Sequence, residues 1–414
     1  MEKQTASKNF IHEKFQEYYE KESSLIKGPS EIEKREFGFL LFTKEMFRHK
    51  GFRNVSELQG FLYRLVPLNV YYSCAYYENP EAEMERKGWL GADLVFDIDA
   101  DHIPTPCDKN HDEWTCSNCG FVGKGVPPEK CPICGGEKFN VKSWPCEICL
   151  KSAKEETIKL IEMLTQDFGF SSKDLHVFFS GHRGYHVQVE SESVKTLDAT
   201  ARKEIVDYVI GLGLDMSLHG LKRKSWRETS FSTGSHISDL GWYRRLIAGM
   251  QNFILNAEAE DFEKIGIRKK AVNTLLENRD KILKSLSENR TWGAVKGIGF
   301  ETWRKIAEES VKLRSARVDT VVTTDTHRLI RMADTLHGKT GFKKIEFSAS
   351  AIDSFDPFKS AVAFKKGTAT VFVYDAPKFR IGDDVFGPYK KQKVKLPTAA
   401  ALLLICKNRA EIVE

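Results

Sequence analysis

The stretch Ala92-Asp93-Leu94-Val95-Phe96-Asp97-Ile98-Asp99-Ala100-Asp101-His102 begins apolar and ends acidic. Its branched and aromatic centre suits a buried strand. Successive side chains of a strand alternate faces, so Asp97 and Asp99 share one face while Phe96 and Ile98 point into the core. Two carboxylates side by side oppose joint ionisation, and a divalent cation is the usual remedy. Such an Asp-x-Asp strand can hold a pair of Mg2+ or Mn2+ ions about 3.5–4 Å apart for in-line phosphoryl displacement. The same spacing also marks places where a strand simply leaves its sheet, so the rest of the chain has to separate the two readings.

Composition bounds the rest. With 414 residues, 41% hydrophobic and 29% charged, the chain is long enough for two to three domains with a substantial core. Apolar runs such as Ala399–Ile405 fall far short of the roughly 20 residues that a membrane span needs, and Met1-Glu2-Lys3-Gln4 opens no secretory signal. A soluble, intracellular, cytoplasmic protein with no membrane partner is therefore expected. The net charge of +5 permits a nucleic-acid partner without demanding one. Of nine cysteines, Cys107, Cys116, Cys119, Cys131, Cys134, Cys146 and Cys149 crowd one window, which in a cytosolic chain points to metal rather than disulfides.

Before the acidic stretch, residues 8–27 and 31–50 read as helices whose aromatics, Phe10, Phe15, Tyr18, Tyr19, Phe37 and Phe39, belong to a core. A further helix is predicted over Ser56–Tyr63, then a strand over Leu68–Ser73 and a charged loop over Glu78–Lys87.

The cysteine window after it separates into two layers. Cys116-Ser117-Asn118-Cys119-Gly120 and Cys131-Pro132-Ile133-Cys134-Gly135 are matched C-x2-C-G knuckles, a spacing that offers four thiolates tetrahedrally to Zn2+. Outside them, Cys107 and His111 on one flank and Cys146 and Cys149 on the other supply a second set, unless Cys107 and His111 are incidental. A folded ribbon brings its own ends together, so the insertion need not disturb the outer set. Both sets are closed, which is the mark of structural rather than catalytic zinc.

Beyond Cys149 a helix is predicted over Ser152–Gln166, followed by strand, turn and strand in Leu175–Val189. Gly181 and Gly184 bracket that turn, and Ser180, His182, Arg183 and His186 offer donors suited to a phosphate clamp or to a plain polar hairpin. Residues 192–312 are helical in pattern and include Trp226, Trp242, Trp292 and Trp303. Basic clusters there, Leu221-Lys222-Arg223-Lys224 and Arg244-Arg245, suit a nucleic-acid backbone but more often mark a solvated helix face. A strand pattern resumes over Arg317–Arg331, bringing Asp319 among basic residues that could neutralise a triphosphate. His337-Gly338-Lys339-Thr340-Gly341 is not a phosphate-binding P-loop, because Ala333 stands where its first glycine belongs.

In combination, Val95–Asp99, Phe179–His186, and Asp319 with Arg328-Leu329-Ile330-Arg331 and His337–Gly341 have the order and spacing of a known family. The chain resembles the archaeo-eukaryotic DNA primase catalytic (small) subunit of archaeal type, and Arg35–Phe39 and Leu402–Ile412 extend the likeness to nearly its whole length. The resemblance implies an α+β fold: a primase core with mixed β-sheets over 1–106, 150–191 and 313–414, a zinc-binding module over 107–149 with an inserted ribbon at 112–142, and a helical insertion over 192–312. It implies that Asp97, Asp99 and Asp319 are the catalytic, Mg2+- or Mn2+-binding triad. Ser180, Arg183, His186, Arg331 and His337, with Arg328 and Lys339 nearby, would hold the incoming nucleotide's triphosphate, and Glu36 and Arg48 would seat the initiating nucleotide.

The outer set resembles the family's zinc motif, whereas the inner knuckles and Met332-Ala333-Asp334 depart from its usual pattern. The activity implied is de novo primer synthesis on single-stranded DNA from NTPs or dNTPs, in a heterodimer with a large subunit. A repair-type primase-polymerase sharing the core motifs, and a non-enzymatic zinc-ribbon nucleic-acid-binding protein, are the alternatives.

Overall fold

The computed structural model describes residues 2–215, 241–289 and 295–413. The Leu221–Lys224 cluster, Trp226 and Trp292 lie outside the described residues. The chain forms two compact units. One takes Met1–Ile158, Ser171–Lys203 and Val318–Glu414; the other takes Lys159–Phe170 and Glu204–Arg317. The second unit thus begins later than the expected residue 192 and also draws in the segment after Ile158.

In the first unit the acidic strand, Leu94–Asp99, forms one edge of a four-stranded sheet. Gly184–Val189 lies beside it, then Leu175–Phe179, then Ile345–Phe347. The register sets Asp97 opposite His186 and Asp99 opposite Gly184. Phe96 and Ile98 are buried while Asp97 and Asp99 stay partly exposed, as alternation requires, and Val95 on the carboxylate face is buried too. A second four-stranded sheet is ordered Leu329–Arg331, Asn69–Ser73, Phe37–Leu40, Met46–Lys50. A third joins Tyr389–Pro397, Thr368–Ala376 and Ala410–Ile412. The α+β class is as the sequence indicates, but the sheets expected to be mixed are antiparallel at every pairing among the described strands.

Two sequence expectations are corrected. Residues 31–50 hold the strand pair Phe37–Leu40 and Met46–Lys50 rather than a helix. Phe37 and Phe39 obey a period of two, and both are fully buried in a core with Phe15, Tyr19, Leu58 and Leu62. Thr320–Thr324, read as strand from its branched residues, is a short helix: the Asp319 side chain accepts from the Val321 and Val322 amides and outweighs the β-preference of the run.

A buried ion pair fixes the start of the acidic strand. Arg35 Nη2 lies 2.8 Å from Asp93 Oδ2, and Tyr76 Oη and Gln188 Nε2 also donate to that carboxylate. The pair ties two sheets together with its hydrogen-bonding capacity used, the condition under which a buried charge is tolerated. The second unit is helical, with Met250, Phe262, Trp303 and Ile306 in its core and a buried Arg245–Asp167 ion pair. None of the described helices is long and apolar enough to cross a membrane.

Candidate active site and metal centres

Three carboxylates converge at the open face of the acidic strand. Asp97 and Asp99 project on one side, and the Asp319 amide donates to the Asp97 carbonyl at 2.8 Å, fixing the third carboxylate beside them. Asp319 Oδ1 caps its helix at 3.0 Å from the Val321 amide, and Asp99 Oδ1 accepts from the Asp101 amide at 3.0 Å. Each of these two carboxylates keeps its other oxygen clear of those bonds. Burial, then the charges of Asp99 and Asp319, push the Asp97 carboxyl up to about 7. Such mutual destabilisation is relieved by a cation placed between the groups, so the donor set fits divalent metal.

The basic side of the site is built by two turns. Gly181, at φ +83°, starts the first, and a Cβ there would lie 3.1 Å from His337 Cβ. At Gly184 a Cβ would lie 2.1 Å from the Ile98 carbonyl, so only glycine lets this turn press on the acidic strand. His186 Nε2 sits 3.5 Å from Asp97 Oδ1, and its Nδ1 is buried without a hydrogen-bond partner among the described residues. His337 Nδ1 accepts from the Lys339 amide at 3.0 Å, and the His337 ring lies 5.2 Å from that of His182. Burial, followed by neighbouring cations, holds His182, His186 and His337 well below the usual imidazole range. Arg331 reaches the Ser180 carbonyl at 3.3 Å while its Nε has no hydrogen-bond partner among the described residues. Concentrated, imperfectly paired donors of this kind suit a polyanion.

Not every residue singled out from the sequence joins this group. The Ser180 hydroxyl accepts from the His182 and Gly184 amides and shapes the turn from within. Arg328 adds its charge near Asp97, and Lys339 is exposed at the rim. Glu36 is buried and pairs with Arg48 at 3.1 Å and Lys87 at 3.2 Å. Arg183, expected among the phosphate ligands, is 1% exposed, and its guanidinium is occupied by Asp101, Asp112 and Cys149. Its fork is aimed inward by two carboxylates, which repel phosphate from the same position.

Both cysteine sets come together. In the outer one, Cys107 Sγ lies 3.5 Å from Cys146 Sγ and 3.3 Å from Cys149 Sγ. His111 Nε2 lies 3.2 Å from Cys146 Sγ and 3.6 Å from Cys149 Sγ. In the inner one, Cys116 and Cys134 are 3.6 Å apart and Cys119 and Cys131 3.7 Å. A tetrahedral thiolate site with bonds of about 2.3 Å has edges of about 3.8 Å, so both sets fit a zinc or iron ion. The inner set sits on a three-stranded ribbon ordered Val122–Lys124, Glu113–Cys116, Phe139–Lys142.

The structure adds residues that the sequence did not single out. Lys344 is fully buried, donates to the Arg331 carbonyl and lies 4.1 Å from the Phe178 ring centre. Lys407 reaches His182 Nε2 from the end of the apolar helix Thr398–Cys406. Burial, then neighbouring cations, draws each ammonium down to about 7. The signal for Lys407 was a lysine directly after an apolar run; for Lys344, just before the strand Ile345–Phe347, the sequence carried none.

Residues 142–349 match the family model of the DNA primase small subunit, and residues 114–140 match that of the rubredoxin-like domain of rubrerythrin. The DNA primase small subunit PriS of Nitrosopumilus maritimus is 30% identical over 403 residues, covering 97% of this chain and 98% of the relative. Those of Methanococcoides burtonii and Methanothrix thermoacetophila are each 32% identical, over 425 and 434 residues, covering 98% and 100% of this chain and the same shares of the relatives. With a family model matching half of the chain and such relatives matching nearly all of it, around a site of three carboxylates faced by histidines and arginines, the chain belongs to the DNA primase small subunit family.

Proposed function

We propose that this chain is the catalytic subunit of a DNA primase, making short primers de novo on single-stranded DNA by nucleotidyl transfer from NTPs or dNTPs. The observation that carries the reading is the convergence of Asp97, Asp99 and Asp319 opposite the half-buried His186 and Arg331 and the buried His337. Asp97, Asp99 and Asp319 would hold Mg2+ or Mn2+, which supplies Lewis acidity to a 3′-hydroxyl and to the departing pyrophosphate. Arg331, His337 and His186 bind the triphosphate, with Lys339 and Arg328 at the rim. The glycine turn at Gly181–Gly184 keeps these donors against the acidic strand. Glu36 and Arg48, paired at 3.1 Å, lie on the neighbouring sheet where a second nucleotide would start the chain.

The outer and inner cysteine sets each hold a structural zinc. Such a subunit works with a large subunit, a DNA template and nucleotides, inside the cell. The domain reading that goes with it is a primase core interrupted by the zinc module, 107–149, and by the helical insertion.

Metal-dependent incorporation of labelled nucleotide on a single-stranded template tests the reading, with Asp319→Asn as the comparison. Incorporation by the wild type that the variant loses is the expected result. Equal incorporation by both would place the chemistry elsewhere.

A further inference from the structure

Segments far apart in sequence meet at the Arg183 side chain. Nη1 donates to Asp101 and, at 2.8 Å, to Asp112 Oδ2. Nη2 lies 3.2 Å from Cys149 Sγ. Each partner leads on to one of two sites. The Asp101 amide donates to Asp99 Oδ1, and the Arg183 carbonyl accepts from the Ala100 amide at 3.2 Å. One residue thereby braces the exit of the acidic strand with both its side chain and its backbone. Asp112 Oδ1 holds His111 Nδ1 at 2.7 Å and the Trp144 amide at 2.9 Å, which aims His111 Nε2 at the outer sulfurs. Cys149 belongs to the outer set itself.

A guanidinium presents its donors in a rigid plane, so it can satisfy three partners at once only where those partners are fixed relative to one another. Support of a metal-binding histidine and thiolate from behind typically changes metal affinity by about 10–100-fold. For a triphosphate to bind the same fork, it would have to displace two carboxylates in an almost solvent-free position.

We propose that Arg183 is a positioning residue that couples the outer cysteine–histidine set to the acidic strand, so that closure of this set keeps Asp99 and Asp101 in place, and that it is not a nucleotide ligand. The inference rests on the reading of Asp99 as a divalent-metal ligand. A consequence is that losing the outer ion weakens divalent binding at the carboxylates even while the rest of the core stays folded.

The test uses the full-length, zinc-loaded chain with Arg183→Met, Arg183→Lys and Asp112→Asn. Three quantities are read: zinc release to a colorimetric chelator, Mn2+ binding by electron paramagnetic resonance, and the nucleotide KM. Zinc release should quicken by about 10-fold or more in Arg183→Met and Asp112→Asn. Mn2+ binding should weaken in the same two, Arg183→Lys should recover part of both effects, and the nucleotide KM should hardly change. Should Arg183→Met fail to fold, Asp112→Asn carries the test from the other end of the contact.

Unchanged zinc release with a raised KM would make Arg183 a phosphate ligand and overturn the proposal. Faster zinc release with unaltered Mn2+ binding would overturn the coupling. Both metal readouts stand without activity, so a chain that incorporates no nucleotide would refute the proposed function separately.

Discussion

Burial and the charges of Asp99 and Asp319 push the Asp97 carboxyl up to about 7, from an ordinary value of about 3.9. A carboxyl whose folded value is raised favours the folded state fully below pH about 4 and loses that contribution as pH rises toward 7. A divalent ion competes with the same proton, so Mn2+ binding should strengthen with pH up to about 7 and then level off, with protons released at pH 6; titration in buffers of different ionisation enthalpy measures this. Asp97→Asn should abolish synthesis yet raise the Tm at pH 8 without added divalent ion, because it removes a charge that the fold resists. A Tm below that of the wild type there would contradict the assignment of strain to this carboxylate. On the basic side, His337→Ala and Arg331→Ala should raise the nucleotide KM more than they weaken template binding, since Arg331 meets the glycine turn with its charge near Asp97 and His337 packs against Gly181. Steady-state kinetics set against template anisotropy separates the two effects.

At the scale of elements, the Gly181–Gly184 turn and the ribbon make opposite claims on the chemistry. Gly184→Ala would drive a methyl into the Ile98 carbonyl; a loss of about 1–3 kcal/mol in stability, together with activity, is the expected outcome of chemical denaturation and incorporation assays. The ribbon, in contrast, closes on itself at the Glu113–Lys142 pair. Replacing Trp114–Val141 with a short glycine linker should remove one metal ion and preserve nucleotidyl transfer. Asp112 must stay, because it holds His111 and Arg183. The acidic strand, the Leu175–Val189 hairpin and the grouping of the knuckles were legible because alternation and ligand spacing are local patterns. Residues 31–50 were not: charged helix formers surround Phe37 and Phe39, and their strand is paired on one side by Met46–Lys50 and on the other by Asn69–Ser73, which lies outside that local stretch. Thr320–Thr324 misled for the reverse reason, a cap overriding branched side chains. Arg183 could not be placed from its motif, since Asp101, Asp112 and Cys149 approach it only through the fold.

For the molecule as a whole, two closed four-ligand sets predict two tightly bound ions per chain, and elemental analysis of the purified protein counts them. Cys146→Ser should cost one ion and much of the stability of the core, because metal binding at the outer set is coupled to folding, whereas Cys134→Ser should cost one ion with little effect on the core. The central claim is that these elements together start new chains. Its most direct measurement is product formation by the purified full-length chain on unprimed, circular single-stranded DNA with labelled NTPs and dNTPs, with and without Mn2+ or Mg2+. Short labelled products that require the divalent ion and vanish in Asp97→Asn are predicted. Extension confined to reactions that contain a supplied oligonucleotide, or products that persist in the variant, would contradict the account.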